Sequence, residues 1–260
     1  MKKTDITKIA IGIIALVFAL VVIILVLMNS DSYEETKGEE ITIEQTSSIT
    51  SECPEISETT EVIVEETYPS VVSITNGDFS ILEIGNRFYY GNYNGLPLQW
   101  TVIDSSDEGI MVITTDAVDV IPYNDIREDI TWEDCSLRQW LNSDFYNAAF
   151  SEEEASRIML TDVNADENPY YDTESGNSTQ DKIYLLSVVE AETYFDSDEA
   201  RICNYEDEAC WWWLRSPGCG QHRASMVCVD GTIGHAYGFF VDSSFECVRP
   251  VMWITVDENN

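Results

Sequence analysis

Positive charge is scarce in this sequence of 260 residues, which contains 13 lysine and arginine residues against 48 aspartate and glutamate residues and has a formal net charge of −35. A protein that binds nucleic acid needs a basic face to displace the counterions of the phosphate backbone. The composition therefore excludes nucleic acid as a partner and disfavours docking onto anionic lipid. Solubility is the simplest purpose of such an acidic excess, and cation binding is the alternative.

Histidine and the sequence patterns of common active sites are scarce or absent as well. The two histidines are His222 and His235, and no C-x-x-C pair accompanies them, which argues against a zinc site of cysteine and histidine. The chain contains no G-x-S-x-G, no H-E-x-x-H and no glycine loop for phosphate. These absences favour a protein that is not an enzyme, although catalysis by a carboxylate pair stays open because acidic residues are so numerous.

The most prominent feature that is present is an unbroken apolar run, residues 9–28, IAIGIIALVFALVVIILVLM. As a helix, its 20 residues span about 30 Å, the thickness of the hydrocarbon core of a bilayer. Lys2, Lys3 and Lys8 precede the run, and the next basic residue is Lys37. The positive-inside rule therefore places the short N-terminus in the cytoplasm and the rest of the chain outside the cell.

A cleaved signal peptide is the alternative explanation of this run. Its apolar region would normally be shorter, and a cleavage site with two small residues would follow. Leu27, Met28 and Asn29 do not provide such a site. We therefore expect a single-pass protein of the cell membrane, with residues 1–8 as a cytoplasmic tail and residues 9–28 as a transmembrane helix in contact with the lipid bilayer.

Residues 29–75 have the composition of an acidic, disordered stalk. Glutamate, threonine, serine and isoleucine dominate this stretch, and its net charge is −11. It can bury too little apolar surface to offset the entropy of ordering, and its charges repel one another. Residues 76–260 remain for one extracellular domain of ordinary size, with a net charge of about −26.

The chain contains seven cysteines, one in the stalk and six in the domain, and disulfides are permitted outside the cell. Six cysteines allow 15 pairings, and the sequence does not choose among them. Cys53, in the stalk, is left either to join two copies of the chain or to remain a free thiol. The six cysteines of the domain are Cys135, Cys203, Cys210, Cys219, Cys228 and Cys247.

The two ends of the domain show strand patterns. The first third is rich in aromatic and β-branched residues and contains Asn94-Gly95, the signature of a type I′ hairpin turn. The last third returns to strand patterns, with Asp230-Gly231 predicted to join two strands as a second hairpin.

The middle third shows helix signals instead. Thr131 is predicted to cap a helix through TWEDCSLRQWLN. Ser151 with Glu154 and Ser187 with Glu190 have the spacing of capping boxes that begin two further helices. Strands, then helices, then strands predict an α+β domain with a mostly antiparallel sheet.

Five segments in a fixed order carry a resemblance to a known family. They are GNRFYYGNYNGLPLQWTVID, TWEDCSLRQWLNSDFYNAAFSEEE, TQDKIYLLSVVEAETYF, WWWLRSPG and CVRPVMWI, and together they cover nearly all of residues 83–256. They resemble an uncharacterised family of bacterial domains, often found on surface proteins of Gram-positive species, with WWLRSPG and VRP as its motifs. The family has no assigned activity, so the resemblance implies a compact α+β domain and no particular function.

That family is in turn remotely similar to the C-type-lectin-like fold, which also includes the formylglycine-generating enzymes. The similarity rests on the tryptophan strand that bears Arg215 and on the closing strand that bears Arg249. Both arginines lie in apolar runs, so we expect them to pair with buried carboxylates or carbonyl groups. Alternation along the strand predicts Trp211 and Trp213 on one face, as core residues, and a stacking platform for a sugar or peptide is the alternative.

The resemblance also implies a place for ligand binding. In lectin-like folds the ligand usually meets the loops between the later strands, which correspond here to residues 219–244. This segment mixes polar and aromatic residues, as recognition surfaces do. An ordinary twisted hairpin is the alternative. The candidate ligand-binding residues are Gln221, His222, Arg223, His235, Tyr237 and Phe239.

Calcium is the one metal for which the sequence offers ligands. Asp162, Asn164 and Asp166 have the spacing that opens an EF-hand loop. Glu167 stands where a glycine should make the turn, and Thr173 stands where a bidentate glutamate should be. The pattern is therefore a weak metal candidate. A looser site would use Asp172, Glu174 and Asp181.

Taken together, these features predict a membrane-anchored extracellular binding module that recognises an unknown surface glycan or protein. No cofactor is expected, and calcium at the weak candidate site is the alternative. An extracellular enzyme, either a hydrolase or a cysteine oxidase, is one alternative, and a purely structural surface module is another. A buried cleft with a carboxylate or thiol of shifted pKa would favour the enzyme, and an exposed aromatic patch between the late strands would favour binding.

Overall fold

The structure, a computed structural model, describes residues 71–74, 78–234 and 237–256. The predicted cytoplasmic tail and transmembrane helix, Cys53 and His235 lie outside these residues, as does nearly all of the predicted stalk. Within the described ranges, none of the helices is long and apolar enough to cross a membrane.

The first sheet consists of β1 (Arg87–Tyr93), β2 (Leu96–Ser105), β3 (Gly109–Thr114) and β13 (Val251–Thr255), in that order across the sheet. All its neighbouring strands are antiparallel. Asn94 and Gly95 connect β1 to β2 with φ angles of 53° and 81°, as a type I′ turn requires, so the predicted hairpin is confirmed. Every residue of β3 is buried.

The second sheet consists of β4 (Asp119–Val120), β9 (Trp212–Pro217), β10 (Arg223–Val227), β11 (Phe239–Phe240) and β12 (Cys247–Val248). Their order is β11-β10-β9-β12-β4. The pair β9–β12 is parallel, and the other pairs are antiparallel. The central strand β9 is buried along its whole length.

The turn at Asp230 and Gly231 is present, with Gly231 at a φ of 82°. Among the described residues after this turn, only Phe239 and Phe240 of β11 pair with β10, so the second strand of the predicted hairpin is short. Gly234 and Gly238 adopt left-handed φ angles of 46° and 73°, which interrupt an extended strand.

The remaining elements are short. Two further hairpins each form a separate two-stranded sheet: β5 (Thr161–Val163) with β6 (Thr179–Asp181), and β7 (Cys203–Tyr205) with β8 (Glu208–Cys210). The described part of the chain is thus mostly β, with antiparallel sheets and few helices. The helical segments are α1 (Ser136–Trp140), a π-helical turn (Leu141–Phe145), α2 (Tyr146–Ala149), α3 (Glu152–Arg157), α4 (Val188–Tyr194) and α5 (Asp198–Arg201).

Helices α3 and α4 begin where the sequence predicts. The side chains of Ser151 and Ser187 accept hydrogen bonds from the backbone of Glu154 and Glu190, and those glutamates accept in return from the two serine backbones, so both capping boxes are confirmed.

The predicted cap at Thr131 is wrong. Helix α1 begins after Cys135, whose thiol accepts a hydrogen bond from the Arg138 amide at 3.4 Å. The reason lies in Trp132, whose buried indole donates to the Asp181 carboxylate at 3.1 Å. Anchoring this side chain in the core turns residues 132–134 before the helix can start.

Buried tryptophans dominate the core, and their indole N–H groups all find acceptors. Trp100, Trp212 and Trp213 donate to the carbonyl oxygens of Tyr90, Arg201 and Ile121, at 2.8, 3.0 and 3.0 Å. These bonds remove the cost of burying a polar N–H group.

Trp211 differs from the other tryptophans in its block, because its side chain is 41% exposed. It precedes β9, which starts at Trp212, so the alternation predicted for Trp211 and Trp213 does not apply. The strand is covered on both faces, and consecutive tryptophans are therefore both buried.

Arg215, in the middle of β9, is the most heavily bonded side chain of the described core. It is 3% exposed. Its guanidinium donates to the Asp166 carboxylate at 2.7 Å and to both oxygens of Glu190, and also to the carbonyl oxygens of Asn164 and Leu185 at 3.2 and 3.0 Å. One side chain therefore ties the chain after β5 and the start of α4 to the central strand.

Arg249, which follows β12, is buried in a different way. Its donors meet backbone carbonyl oxygens, those of Thr114 at 2.9 Å and Thr115 at 3.3 Å. The guanidinium also lies over the Trp212 ring, 5.1 Å from the centroid. It thus joins the end of β3 to the second sheet.

We expect Arg215→Ala to lower the free energy of unfolding by about 2–4 kcal/mol, because the half-buried carboxylates of Asp166 and Glu190 would lose their shared partner. Urea denaturation of the full-length chain in detergent micelles measures this change. Arg127→Ala is the control, since Arg127 forms a solvent-exposed ion pair, and it should cost less than about 1 kcal/mol. A variant at Arg215 within about 0.5 kcal/mol of the wild type would contradict the structural role.

Candidate ligand-binding site

Cationic and aromatic side chains gather at the edge of the second sheet. Residue Arg223 begins β10, and its register partner on β11 is Phe240, while Ala224 lies opposite Phe239. Arg127 reaches the same place from the loop after β4. We name this surface the arginine–aromatic patch, and it consists of Arg127, His222, Arg223, Tyr237, Phe239 and Phe240.

Gly238 makes the close approach of this loop to the sheet feasible. A Cβ at this position would lie 2.3 Å from the Ala224 carbonyl oxygen and 3.0 Å from the Gly218 Cα, and the φ of 73° is left-handed. Any other residue would push the loop away from β10. The glycine therefore holds Phe239 and Phe240 next to Arg223.

The Phe240 ring is the centre of the patch. The guanidinium carbons of Arg127 and Arg223 lie 3.8 and 4.1 Å from its centroid, and the His222 ring stacks on it at 5.7 Å. Arg223 also lies over the Tyr237 ring, at 4.9 Å. Such cation–π contacts hold long arginine side chains in one orientation without using up their N–H donors.

The patch is open to solvent. Tyr237 is 52% exposed and Phe239 is 39% exposed. Arg127 donates from Nε to Asp242 at 2.8 Å, and Arg223 donates from one Nη to the Gly238 carbonyl oxygen at 3.2 Å. The other N–H groups of both guanidiniums make no hydrogen bond within the described part of the chain, and they are free to meet an acceptor on a ligand.

A cleft of about 680 Å³ opens beside the patch. Its walls are residues 129–134 and 167–177, and Gln221 closes it between them. No lysine or arginine is among its lining residues. We name it the acidic cleft, and its carboxylates are Asp129, Glu133, Asp134, Glu167, Asp172 and Glu174.

Gln221 holds the two walls of the acidic cleft together. Its side-chain amide donates to the carbonyl oxygens of Ile130 and Glu174, at 3.2 and 2.9 Å. A second link joins the walls where the Asn177 backbone and side chain donate to Glu133, at 3.2 and 3.1 Å. The cleft is therefore built from fixed backbone and does not depend on a bound group for its shape.

The cleft and the patch form one continuous surface. Tyr171, which lines the cleft, contacts Tyr237 edge to face, with ring centroids 6.2 Å apart. His222 of the patch lies 3.8 Å from the carboxylate of Asp129 at the rim of the cleft. A ligand that covers both regions meets negative charge on one side and arginine donors on the other.

The structure brings together five of the six ligand-binding candidates. Gln221 lies in the acidic cleft, and His222, Arg223, Tyr237 and Phe239 lie in the patch. His235 is outside the described residues. The sequence reasoning missed Arg127, because it is remote in the chain. The polar surroundings of Arg127 distinguish it from Arg215 and Arg249 but not from Arg201, which is buried in an equally polar stretch.

The metal candidates are not collected around a common point. The Asp162 carboxylate accepts from the Gln180 amide at 2.9 Å, Asp166 is paired with Arg215, and the Asn164 carbonyl oxygen also accepts from Arg215. In the looser set, Asp181 is buried and paired with Arg138 at 2.7 Å, whereas Asp172 and Glu174 line the cleft. Among the described residues, no group of three or more histidine, cysteine or acidic side chains is arranged to hold a metal ion.

The loop that supplies Asp242 to the patch also contains a buried acid, Glu246. Its side chain is 1% exposed, and its Oε2 has no hydrogen-bond partner. Burial raises the pKa of this carboxyl group above its usual value, and the Ser243 hydroxyl together with the backbone N–H groups of Glu246 and Phe245 offsets only part of that effect.

Comparison with known proteins gives one match. A family model described as "Domain of unknown function (DUF6273)" matches residues 107–256, a range that contains the whole patch and the whole cleft. No curated protein and no solved structure shows a significant similarity to the chain.

Glu246→Gln should stabilise the fold at pH 7, by roughly 1 kcal/mol or more, because it removes a buried and incompletely bonded negative charge. A raised pKa means that the folded state prefers the protonated acid, so the wild type regains this stability as the pH falls. The gain should therefore disappear below about pH 4.5, the ordinary pKa of the group. Thermal melting between pH 4 and pH 8 measures it.

Glu208→Gln is the control for this measurement, because Glu208 is an exposed glutamate of β8. Its melting temperature should follow that of the wild type at every pH. An equal effect of the two substitutions would show that the negative charge of Glu246 does not destabilise the folded state through burial.

Proposed function

The chain belongs to the DUF6273 family, a family of domains of unknown function, and for this member we propose a membrane-anchored extracellular binding module that recognises a protein ligand. The arginine–aromatic patch and the acidic cleft are its proposed recognition surface. The membership confirms the expected uncharacterised domain family, and the function rests on the geometry of the site.

One observation carries the proposal: Arg127 and Arg223 present guanidinium groups at the surface, whereas three other arginines of the domain are buried and fully engaged. Arg201, Arg215 and Arg249 are buried and bonded to backbone or carboxylate oxygens. The two patch arginines are instead oriented by the Phe240 ring, with donors directed to solvent. Arginine and aromatic side chains of this kind supply most of the binding energy of protein interfaces.

A protein fits this surface better than a glycan does. Sugars bind aromatic side chains by stacking on an open ring face. In the patch, the Phe240 ring is already covered by Arg127 and Arg223, and Arg223 also covers a face of Tyr237. What remains is an array of guanidinium donors, which bind carboxylates in a bidentate manner.

The charge pattern narrows the ligand further. The patch would take carboxylates of the partner, and the acidic cleft would take its lysine or arginine side chains. At physiological ionic strength charges are screened over roughly 8 Å, so the overall negative charge of the domain does not prevent local contact with an acidic group. We therefore assign a ligand surface of mixed charge.

The anchor and the compartment are part of the same proposal. They rest on residues 9–28 and on the lysines that precede them, which lie outside the described structure. The extracellular side would give the proposed recognition surface access to proteins outside the cell, beyond the acidic stalk that the sequence predicts.

A relation to the C-type-lectin-like fold also remains a proposal. Two features support it: the buried arginine of the tryptophan strand and the presence of the first and last strands, β1 and β13, in the same sheet. Its implication for function agrees with the place of the patch, since five of the six patch residues belong to the late strands β10 and β11 or to the residues just before them.

An enzyme is the less well supported alternative. The groups with clearly raised pKa values, such as Glu246 and Cys203, do not line the acidic cleft. The cleft also lacks a histidine, a lysine or a thiol that would act beside its carboxylates.

The binding proposal can be tested with intact cells that carry the full-length chain. We expect them to capture labelled proteins from an array of purified extracellular proteins, and not glycans from a glycan array. The double variant Arg127→Ala/Arg223→Ala should weaken capture by at least about tenfold, because it removes both guanidinium anchors. Raised salt should weaken capture by the wild type.

Arg157→Ala is the matched control, because Arg157 also lies over a phenylalanine ring, that of Phe79, but lines a different pocket. It should bind like the wild type. Capture only of glycans would contradict a protein ligand, and capture only after the cells are made permeable would contradict the orientation. No capture on either array by a folded chain would favour a structural module.

A further inference from the structure

Three of the described cysteines meet at one place, outside the patch and the cleft. Cys203 begins β7 and Cys210 ends β8, and the two residues lie directly opposite each other in this hairpin. Cys247 begins β12, and its backbone N–H donates to the Trp211 carbonyl oxygen at 2.7 Å, one residue beyond Cys210. Strand pairing alone therefore brings three thiols together from two parts of the chain.

The side chains influence one another as well. The thiols of Cys203 and Cys247 both lie near enough to the Cys210 thiol to shift its pKa. Cys203 and Cys247 are buried, and Cys210 is partly exposed. Cys210 is thus the middle member of the cluster and the one that solvent can reach.

Metal binding and nucleophilic catalysis, two common functions of thiol clusters, do not fit this cluster. The cluster is not arranged to hold a metal ion, since no such group occurs in the part of the chain that the structure describes. The interaction with the Cys210 thiol and burial raise the pKa of Cys203 far above its usual value. For Cys210, the interaction with the Cys203 thiol lowers the pKa. The interaction with the Cys247 thiol and burial outweigh this effect and raise the pKa to about 12. Such thiols are protonated at neutral pH, which makes them poor catalytic nucleophiles.

We propose that this cluster is a disulfide site in which Cys210 bonds to Cys203 and Cys247 is the reserve partner. Direct opposition across a tight hairpin makes Cys203 the first partner. A thiol of high pKa is a poor leaving group, so the bond, once formed, resists reduction.

The chemistry requires an oxidant, and a low-molecular-weight disulfide of the glutathione type is sufficient. Only the small deprotonated fraction of Cys210 reacts, so the step is slow: the thiol gives its proton to a base in solution, and the thiolate attacks one sulfur of this disulfide, forms a mixed disulfide and releases one small thiolate, which takes up the proton. The Cys203 thiolate then attacks the Cys210 sulfur and releases the second small thiol. Two protein thiols lose two electrons and two protons, and one small disulfide becomes two small thiols.

The reserve partner gives the site a second state. Attack of the Cys247 thiolate on the Cys210 sulfur would release Cys203 as a thiol and move the bond to Cys210–Cys247, with no net oxidation. The first bond lies within one hairpin, whereas the second would tie that hairpin to β12 of the second sheet. The longer loop closed by the second bond would constrain the unfolded chain more strongly.

The test maps disulfides in the full-length chain after incubation with oxidised glutathione. Free thiols are alkylated under denaturing conditions, the chain is cleaved with trypsin and a glutamate-specific protease, and the peptides are identified by mass spectrometry. We expect a Cys203–Cys210 link, with Cys247 alkylated. In Cys203→Ser the link should move to Cys210–Cys247, and in Cys210→Ser both Cys203 and Cys247 should be alkylated.

Cys228→Ser is the control, because Cys228 is half-buried and contacts Thr232 rather than another cysteine, and it should retain the wild-type link. Melting temperatures before oxidation establish that each variant is folded, and Cys203→Ala replaces Cys203→Ser if the serine variant does not fold. An alkylated Cys210 in the oxidised wild type would overturn the proposal. A wild-type link from Cys210 to Cys247, or any link in Cys210→Ser between the other two members, would also overturn it.

Discussion

The proposed recognition surface depends on the buried guanidinium of Arg215. Its contacts with Asn164 and Asp166 hold the chain immediately before residues 167–177, the long wall of the acidic cleft. Two residues after Asp166, the Asn168 side chain donates to the carbonyl oxygen of Pro217, which like Arg215 lies on β9, at 2.7 Å. A loop without regular structure is thus anchored to the most buried strand of the domain. The energy of this anchoring comes from charge-assisted hydrogen bonds whose partners would be left unpaired in any other arrangement.

Among the nine basic residues of a strongly acidic domain, two groups of arginines differ in use. Arg201, Arg215 and Arg249 are buried and connect elements that are far apart in sequence, whereas the patch arginines face solvent on a phenylalanine ring. Because carboxylates are abundant everywhere on such a surface, they carry little information about a site. Positive charge is scarce and is therefore informative. It stays exposed at the arginine–aromatic patch beside the acidic cleft, and there the surface differs from the acidic surface around it.

Local signals in the sequence predicted local structure well. The turn at Asn94-Gly95 and the two capping boxes depend on residues at most three apart, so they could be recognised without knowing the fold. The start of α1 could not, because it is displaced by the contact between Trp132 and Asp181, which are 49 residues apart. The same limit applies to the site: Arg127 and its partner Asp242 are 115 residues apart, and only the folded sheets bring them together. The apolar context of Arg215 indicated burial, but its partners follow from tertiary packing.

The most direct test of this account is hydrogen exchange in the variant Asp166→Asn. It removes one ion pair from Arg215 and leaves the pair with Glu190. The reporters are the amides of Tyr170, Tyr171 and Asn177, which are hydrogen-bonded in the wild type. The account predicts faster exchange at these amides, with β9 and α4 unchanged, and no effect in the control Asp162→Asn, whose carboxylate bonds only the Gln180 side chain among the described residues. Unchanged exchange across residues 167–177 in Asp166→Asn would contradict it.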